Sequence, residues 1–220
     1  MVVRAGVALY PESVRSIHEI GVRELSAADF LRVQSTARMG YPEPAMDGSY
    51  QSVTYDLAGY CMRCGVGQRQ VAPFRMRKRP ASARAIMGLN WICDELFVNI
   101  EVWKEVFEPL GIGCRPLVLD RTGVEIGSVV QLEIPQLVDL CVDGFPSRIC
   151  ARCGRTRYEL TALRMVPCPK PAATDAPIFK SSQYFGNAAM AQRLILVSRT
   201  LFRNIRAAGL TRADFVPCAR

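Results

Sequence analysis

Two copies of one short cysteine motif constrain this chain more than any other feature. Cys61-Met-Arg-Cys-Gly65 and Cys150-Ala-Arg-Cys-Gly154 share an arginine before, and a glycine after, the second cysteine. Two thiols separated by two residues can turn toward one point, and the glycine accepts the left-handed backbone that such a turn often requires. The pairs are separated by residues 65–149, whereas compact zinc ribbons place them about 15–20 residues apart. The intervening residues are therefore expected to form an insertion whose two ends are held together by the cysteine pairs.

The doubled motif predicts a zinc site formed by Cys61, Cys64, Cys150 and Cys153. Four cysteine ligands close the tetrahedral shell of zinc, so we expect a structural ion rather than a catalytic one. Two alternatives stay open, namely separate redox-active dithiols and buried thiols without a metal. The nine cysteines cannot all form disulfides within one chain because their number is odd, and clustered thiols in a reducing compartment favour metal binding. The remaining cysteines are isolated and are interpreted as core or incidental thiols: Cys93, Cys114, Cys141, Cys168 and Cys218.

The composition suits a globular chain that can bury a core, since half of its 220 residues are hydrophobic. No apolar run approaches the roughly 20 residues of a membrane helix, and the N-terminal stretch lacks a secretory pattern, so we predict a cytoplasmic protein. The sequence contains no phosphate-binding glycine loop, nucleophile elbow or spaced acidic metal cluster. His18, the single histidine, has no catalytic pattern around it. These observations predict a protein that is not an enzyme.

The residue patterns predict an α+β fold with a mixed or antiparallel sheet, flanking helices and a pair of zinc knuckles. Helices are predicted over 11–20, 26–39, 99–109 and 198–209, with Asn99 and Ser198 as N-caps. Strands are predicted over 50–60, 66–74, 115–119, 124–134, 137–142, 156–163, 194–197 and 213–217. We expect an N-terminal helical segment, 1–49, followed by a double-CxxCG α+β domain, 50–220, with an inserted acidic segment, 91–143.

The charge is distributed unevenly along the chain. The formal net charge is +8, yet residues 91–143 carry −7 between flanks of +5 (1–90) and +10 (144–220). An acidic surface would attract a basic protein partner and speed its association, with aromatic side chains as anchors. The candidate partner-binding residues are Asp94, Glu95, Glu101, Trp103, Glu105 and Glu108. In the competing interpretation, Trp103 and Phe107 form the buried face of an amphipathic helix and the acids its solvated face.

Three arginine-rich stretches support an alternative function, a zinc-containing protein that binds nucleic acid. Clustered arginines on one face could contact phosphates. The residues concerned are Arg75, Arg77, Lys78 and Arg79, then Arg152, Arg155 and Arg157, then Arg199, Arg203 and Arg206. A solvated basic face is the favoured explanation of these arginines, since no aromatic residues for base stacking lie between them.

The two CxxCG motifs and Ser181-Ser-Gln-Tyr-Phe-Gly186 resemble the double-CXXCG family of myxobacterial and related bacterial proteins. That family includes immunity proteins that protect a cell against the contact-delivered Sit toxins of its own lineage. The resemblance spans about residues 50–217, including a C-terminal strand, helix and strand similar to those that close several immunity-like domains. It implies a non-enzymatic protein that binds and neutralises a cognate toxin in bacterial competition.

Overall fold

The computed structural model describes residues 21–44, 47–80, 84–160, 166–171, 174–186 and 191–219. The helix predicted over 11–20, which contains His18, lies outside these ranges. Within them, no helix has the length and apolar character needed to cross a lipid bilayer.

The described helices are short, whereas strands run through most of the chain. The helices are α1 (Val22–Ala27), α2 (Tyr50–Thr54), α3 (Ile100–Val102), which continues as a π-helical stretch (Trp103–Phe107) and a 3-10 turn (Glu108–Leu110), and α4 (Arg199–Ala207). The strands are β1 (Phe30–Ser35), β2 (Ala37–Arg38), β3 (Tyr55–Asp56), β4 (Arg69–Gln70), β5 (Arg75–Met76), β6 (Met87–Leu89), β7 (Ile92–Asn99), β8 (Cys114–Leu119), β9 (Glu125–Leu132), β10 (Leu137–Val138), β11 (Ser147–Ile149), β12 (Thr156–Tyr158), β13 (Val166–Pro167), β14 (Ile178–Ser181), β15 (Tyr184–Phe185), β16 (Ile195–Ser198) and β17 (Ala213–Ala219).

Two larger sheets form the body of the fold. The first sheet has the order β10-β14-β16-β1-β17-β13, and the second has the order β2-β6-β7-β9-β8-β5. Both combine antiparallel pairs such as β7–β9 with parallel pairs such as β10–β14. The fold is therefore α+β with mixed sheets, as the sequence predicts.

The main core lies where the two sheets meet α3 and α4. Leu31 on β1, Val98 on β7, Val197 on β16 and Phe202 on α4 are buried in one hydrophobic cluster. β7 and β16 also supply alternate residues to further clusters on the opposite faces of their sheets. Because successive side chains of a strand point to opposite faces, β16 is apolar along nearly its whole length, and β7 is apolar on both faces at Leu96, Phe97 and Val98.

The helix predicted over 26–39 is wrong for most of its length, since residues 30–35 and 37–38 form strands. Buried Leu31, Val33 and Ser35 alternate with more exposed side chains, which is the two-residue period of a strand. β1 lies between β16 and β17 and is hydrogen-bonded to both, so tertiary pairing decides its conformation.

The strand predicted over 50–60 begins instead as a helix, Tyr50–Thr54. Tyr50 and Thr54 are the buried residues of this single turn, and their spacing of four places both side chains on one helical face. Only Tyr55–Asp56 is a strand, and it pairs with Arg69–Gln70 below the first cysteine motif.

The N-caps at Asn99 and Ser198 and the C-terminal helix and strand are predicted correctly. The Asn99 side chain accepts a hydrogen bond from the Glu101 amide at 2.8 Å, and the Ser198 hydroxyl accepts one from the Leu201 amide at 3.3 Å. Gly111 and Gly209 follow the two helices with positive φ, which ends each of them.

Candidate metal centre

Each CxxCG motif is a tight turn at the tip of an antiparallel hairpin. The first motif lies between β3 and β4, and the second lies between β11 and β12. In the first turn, Cys61 N donates to the Val66 carbonyl at 2.9 Å and Gly65 N donates to the Cys61 carbonyl at 2.8 Å. The hairpin framework therefore presents both thiols of the motif on one side.

The second turn repeats this hydrogen-bond pattern position by position. Cys150 N donates to the Arg155 carbonyl at 2.9 Å, and Gly154 N donates to the Cys150 carbonyl at 2.8 Å. Gly65 and Gly154 have φ values of 70° and 73°, a conformation that favours glycine. The shared glycine of the motif thus has the structural role that the sequence predicts.

The two turns face each other and bring all four predicted ligands together. The sulfur atoms of Cys61, Cys64, Cys150 and Cys153 lie within 4.8 Å of one another. Cys61 Sγ is 3.9 Å from Cys150 Sγ, and Cys64 Sγ is 3.6 Å from Cys153 Sγ. Four sulfurs about 2.3 Å from a tetrahedral ion are about 3.8 Å apart, so these spacings fit a bound metal. They are far longer than a disulfide bond of about 2.05 Å.

The turns also prepare two of the thiols for ionisation. Backbone N–H groups of Cys153 and Arg152 point at the Cys150 sulfur and lower the pKa of this thiol to about 6. Burial opposes ionisation of Cys61, but the N–H groups of Cys64 and Arg63 outweigh it and lower its pKa. Burial raises the pKa of Cys64 to about 12. Metal ligation requires thiolates, so a bound cation would replace the proton held by Cys64.

Arg155 joins the two hairpins, a role that the motif pattern does not reveal. Its guanidinium donates to the Gly59 carbonyl at 2.8 Å and to the Val66 carbonyl at 3.2 Å, both on the first hairpin. Gly67 allows this contact, because a Cβ there would stand 2.1 Å from the Gly59 oxygen and 2.7 Å from the Arg155 guanidinium. In the sequence, the only sign of this contact is Gly67, a glycine two residues beyond the first motif.

Some of the acidic residues of the predicted partner surface already form ion pairs within the chain. Glu101, Glu105 and Glu108 are exposed on the helix that starts at Ile100. The Glu105 carboxylate accepts two hydrogen bonds from Arg84, at 2.9 and 3.0 Å. Glu101 pairs with the neighbouring Lys104 at 3.2 Å.

The other three predicted partner residues have different environments. Trp103 is half-buried and donates its indole N–H to the Ile112 carbonyl at 2.8 Å, which agrees with the amphipathic-helix interpretation. Asp94 is half-buried in the wall of a cleft. Glu95 is buried, so its assignment to a partner surface is corrected: its carboxylate lies 2.5 Å from Lys180 Nζ and accepts a hydrogen bond from Gln131 at 3.0 Å.

Several arginines of the alternative nucleic-acid surface bind within the chain. Arg155 joins the hairpins, Arg77 pairs with Glu43 at 3.3 Å, and Arg199 donates to the Ala27 and Ala28 carbonyls. Arg77 is nevertheless exposed, as are Lys78, Arg79, Arg152, Arg203 and Arg206.

No family model matches the chain, and a search of curated proteins finds no significant match. The resemblance to the double-CXXCG family therefore rests on the motif residues themselves. The metal-site geometry stands independently of that resemblance, because it follows from the positions of the four sulfurs.

Proposed function

We propose that this protein is an immunity protein that binds and neutralises a basic bacterial toxin, and that a structural zinc ion holds its fold together. The observation that carries the proposal is the four-cysteine centre, in which two distant CxxCG turns meet with matching hydrogen bonds. These motifs are also the sharpest part of the resemblance to the double-CXXCG family. No catalytic role is assigned to any residue.

Zinc is the metal that best suits this donor set. Four soft thiolates in a tetrahedral arrangement select zinc or iron–sulfur chemistry, and a closed shell of four protein ligands is typical of structural zinc. Cys61, Cys64 and Cys150 are buried and Cys153 is half-buried, which restricts the access of water, and four protein ligands would leave no open coordination position. The ion would hold together hairpins whose cysteines are 89 residues apart in sequence.

The exposed acidic residues of the helix that starts at Ile100 favour a basic binding partner. Glu101, Glu105 and Glu108 are exposed on one helical segment of an otherwise basic chain. The pairs with Lys104 and Arg84 are exposed to solvent, where ion pairs contribute little, so a partner's cations can replace them. Long-range attraction to this surface would mainly raise the association rate.

The test uses the product of the neighbouring open reading frame, because immunity genes lie beside the genes of their toxins. We expect the wild-type protein to bind that product and to protect cells that express it. Replacing Glu101, Glu105 and Glu108 with lysine should slow association and weaken protection, with less effect at high salt. Replacing Arg75, Arg77 and Arg79 with glutamine is the matched control and should have a smaller effect.

Circular dichroism and zinc content must first show that both variants fold. Absence of binding to the neighbouring product would contradict the immunity function. Tight binding of RNA or DNA with a steep salt dependence, lost in the arginine variant alone, would support the nucleic-acid function instead.

A further inference from the structure

A polar cleft outside the metal centre has the properties of a second recognition site. Its volume is about 570 Å³, within the range of roughly 300–1,000 Å³ that is usual for ligand pockets. It lies between the first cysteine hairpin, which contributes Gly67, and the start of β7. Tyr50, Tyr60, Trp91 and Asp94 line part of it, and we call these four residues the Trp91 wall.

Trp91 is an unexpected residue type for its position in a two-residue turn. It lies in the tight turn between β6 and β7 with φ 68°, a region where glycine is favoured and a bulky residue is an outlier. Trp91 is 54% exposed although its ring centroid lies 6.1 Å from that of Tyr41, so burial does not account for the tryptophan. Strained residues of this kind cluster at binding and catalytic sites. The strain and the exposure together point to recognition by the indole ring.

Asp94 gives the wall an unpaired negative charge. Among the described residues, no lysine or arginine lies within ion-pair distance of its carboxylate, whereas the adjacent Glu95 is paired with Lys180. Burial, together with Tyr60 and Asp94, raises the pKa of Tyr50 to about 12. Tyr50 therefore stays neutral, and the charge that this part of the wall presents is the negative charge of Asp94.

The same cleft already holds one cation on an aromatic ring. The Arg193 guanidinium lies 4.2 Å from the centroid of the Tyr184 ring, and both residues line the cleft. In the described part of the chain, no such contact involves Tyr50, Tyr60 or Trp91. Rings beside an unpaired carboxylate form the arrangement that attracts ammonium and guanidinium groups.

We infer that the Trp91 wall receives an arginine or lysine side chain from a basic protein partner. The exposed Trp91 ring would contact the cation, and the Asp94 carboxylate would accept its hydrogen bonds. The identity of that partner as a toxin rests on the proposed function, but recognition of the cationic side chain does not.

A labelled oligo-arginine peptide tests this assignment by fluorescence anisotropy at low salt. The matched control peptide contains citrulline, which has nearly the shape of arginine but no charge. The net charge of +8 on the protein opposes general attraction of cationic peptides, so binding requires a local acidic site, and variants of the wall distinguish it from the exposed Glu101, Glu105 and Glu108. We expect the arginine peptide to bind and the citrulline peptide not to bind. Equal binding of both peptides, or binding of neither, would overturn the assignment.

Substitutions in the Trp91 wall test whether the arginine peptide binds there. Asp94→Asn and Trp91→Gly should each weaken peptide binding by about tenfold, because each removes one of the two attractive contacts. Glycine suits the positive φ of residue 91, so Trp91→Gly is expected to fold. Asp143→Asn changes an exposed acid outside the cleft and should bind like wild type. Unchanged affinity in both wall variants would refute the site.

Failure of this inference can be separated from failure of the proposed function. If the neighbouring toxin binds wild type and both wall variants equally well, the immunity function stands and the Trp91 wall is not its contact. If the wall variants lose the arginine peptide but wild type ignores the neighbouring toxin, the cation site stands and the immunity function falls.

Discussion

Cys150 is the residue at which the chemistry of the centre can be examined most directly. Its thiol belongs to the four-sulfur cluster, and the turn that carries it lowers its pKa to about 6. Cys150→Ser should abolish stoichiometric zinc binding and lower the free energy of unfolding by roughly 3 kcal/mol or more, since metal bound only by the folded state stabilises it. Elemental analysis and thermal unfolding are the measurements.

Cys141→Ser is the matched control for that change. Cys141 is exposed, and its sulfur makes only a weak 4.0 Å contact with the Pro169 carbonyl. This variant should retain zinc and unfold within about 0.5 kcal/mol of wild type. If Cys150→Ser unfolded like the control, the metal would be dispensable for the fold.

At the scale of elements, the approach of the two hairpins depends on glycine at position 67. Gly67→Ala should lower the free energy of unfolding by roughly 3 kcal/mol or more, because its methyl group would overlap the Gly59 carbonyl and a positive φ would add strain. Gly111→Ala also has a positive φ but meets nothing within 4 Å, so its cost should be about 1 kcal/mol. Chemical denaturation of both variants measures the difference, and equal costs would show that the close approach is unimportant.

Local signals explain which elements could be predicted from the sequence. The side chains of Asn99 and Ser198 accept hydrogen bonds from backbone amides two or three residues later. The start of each helix can therefore be predicted from neighbouring residues alone. Residues 30–35 carry only a short apolar–polar alternation, from Leu31 to Gln34, as a local signal. Their strand depends on β16 and β17, which lie more than 150 residues later in the chain, as the pairing of Phe30 with Ser198 illustrates.

The cluster of four cysteines was predictable for the same reason, since a CxxCG turn needs only its own residues. The surroundings of the site were not. Arg155 follows the second motif directly, yet its contacts with Gly59 and Val66 depend on how two distant hairpins meet. Glu95 belongs to an acidic segment, and only the packing of the sheets shows that Lys180 neutralises it in the interior.

At the scale of the molecule, Glu95 and Lys180 connect the two large sheets. Glu95 lies on β7 of the second sheet and Lys180 on β14 of the first, and their side chains are only 10% and 12% exposed. Lys180→Met should cost roughly 3–5 kcal/mol, because it leaves a buried carboxylate unpaired. Adding Glu95→Gln removes that charge and should recover most of the loss. Urea unfolding of the single and double variants is the measurement.

The exposed pair of Arg115 and Glu133 is the control for that experiment. Its atoms are 2.8 Å apart, but both side chains are well exposed, so Arg115→Met should cost no more than about 1 kcal/mol. A double variant as unstable as Lys180→Met alone would show that the loss came from packing rather than from the unpaired charge.

The distance along the chain between the two cysteine pairs has a consequence for biosynthesis. A ribosome that has released Cys61 and Cys64 offers zinc only two of its four ligands, and the other two emerge after the whole segment between them. A metal ion can therefore be held by all four cysteines only once every strand of the second sheet has been synthesised, because β2 precedes Cys61 and β5 to β9 lie within that segment. Metal capture would thus mark a late stage of synthesis, and a chain interrupted before Cys150 would be released without its ion.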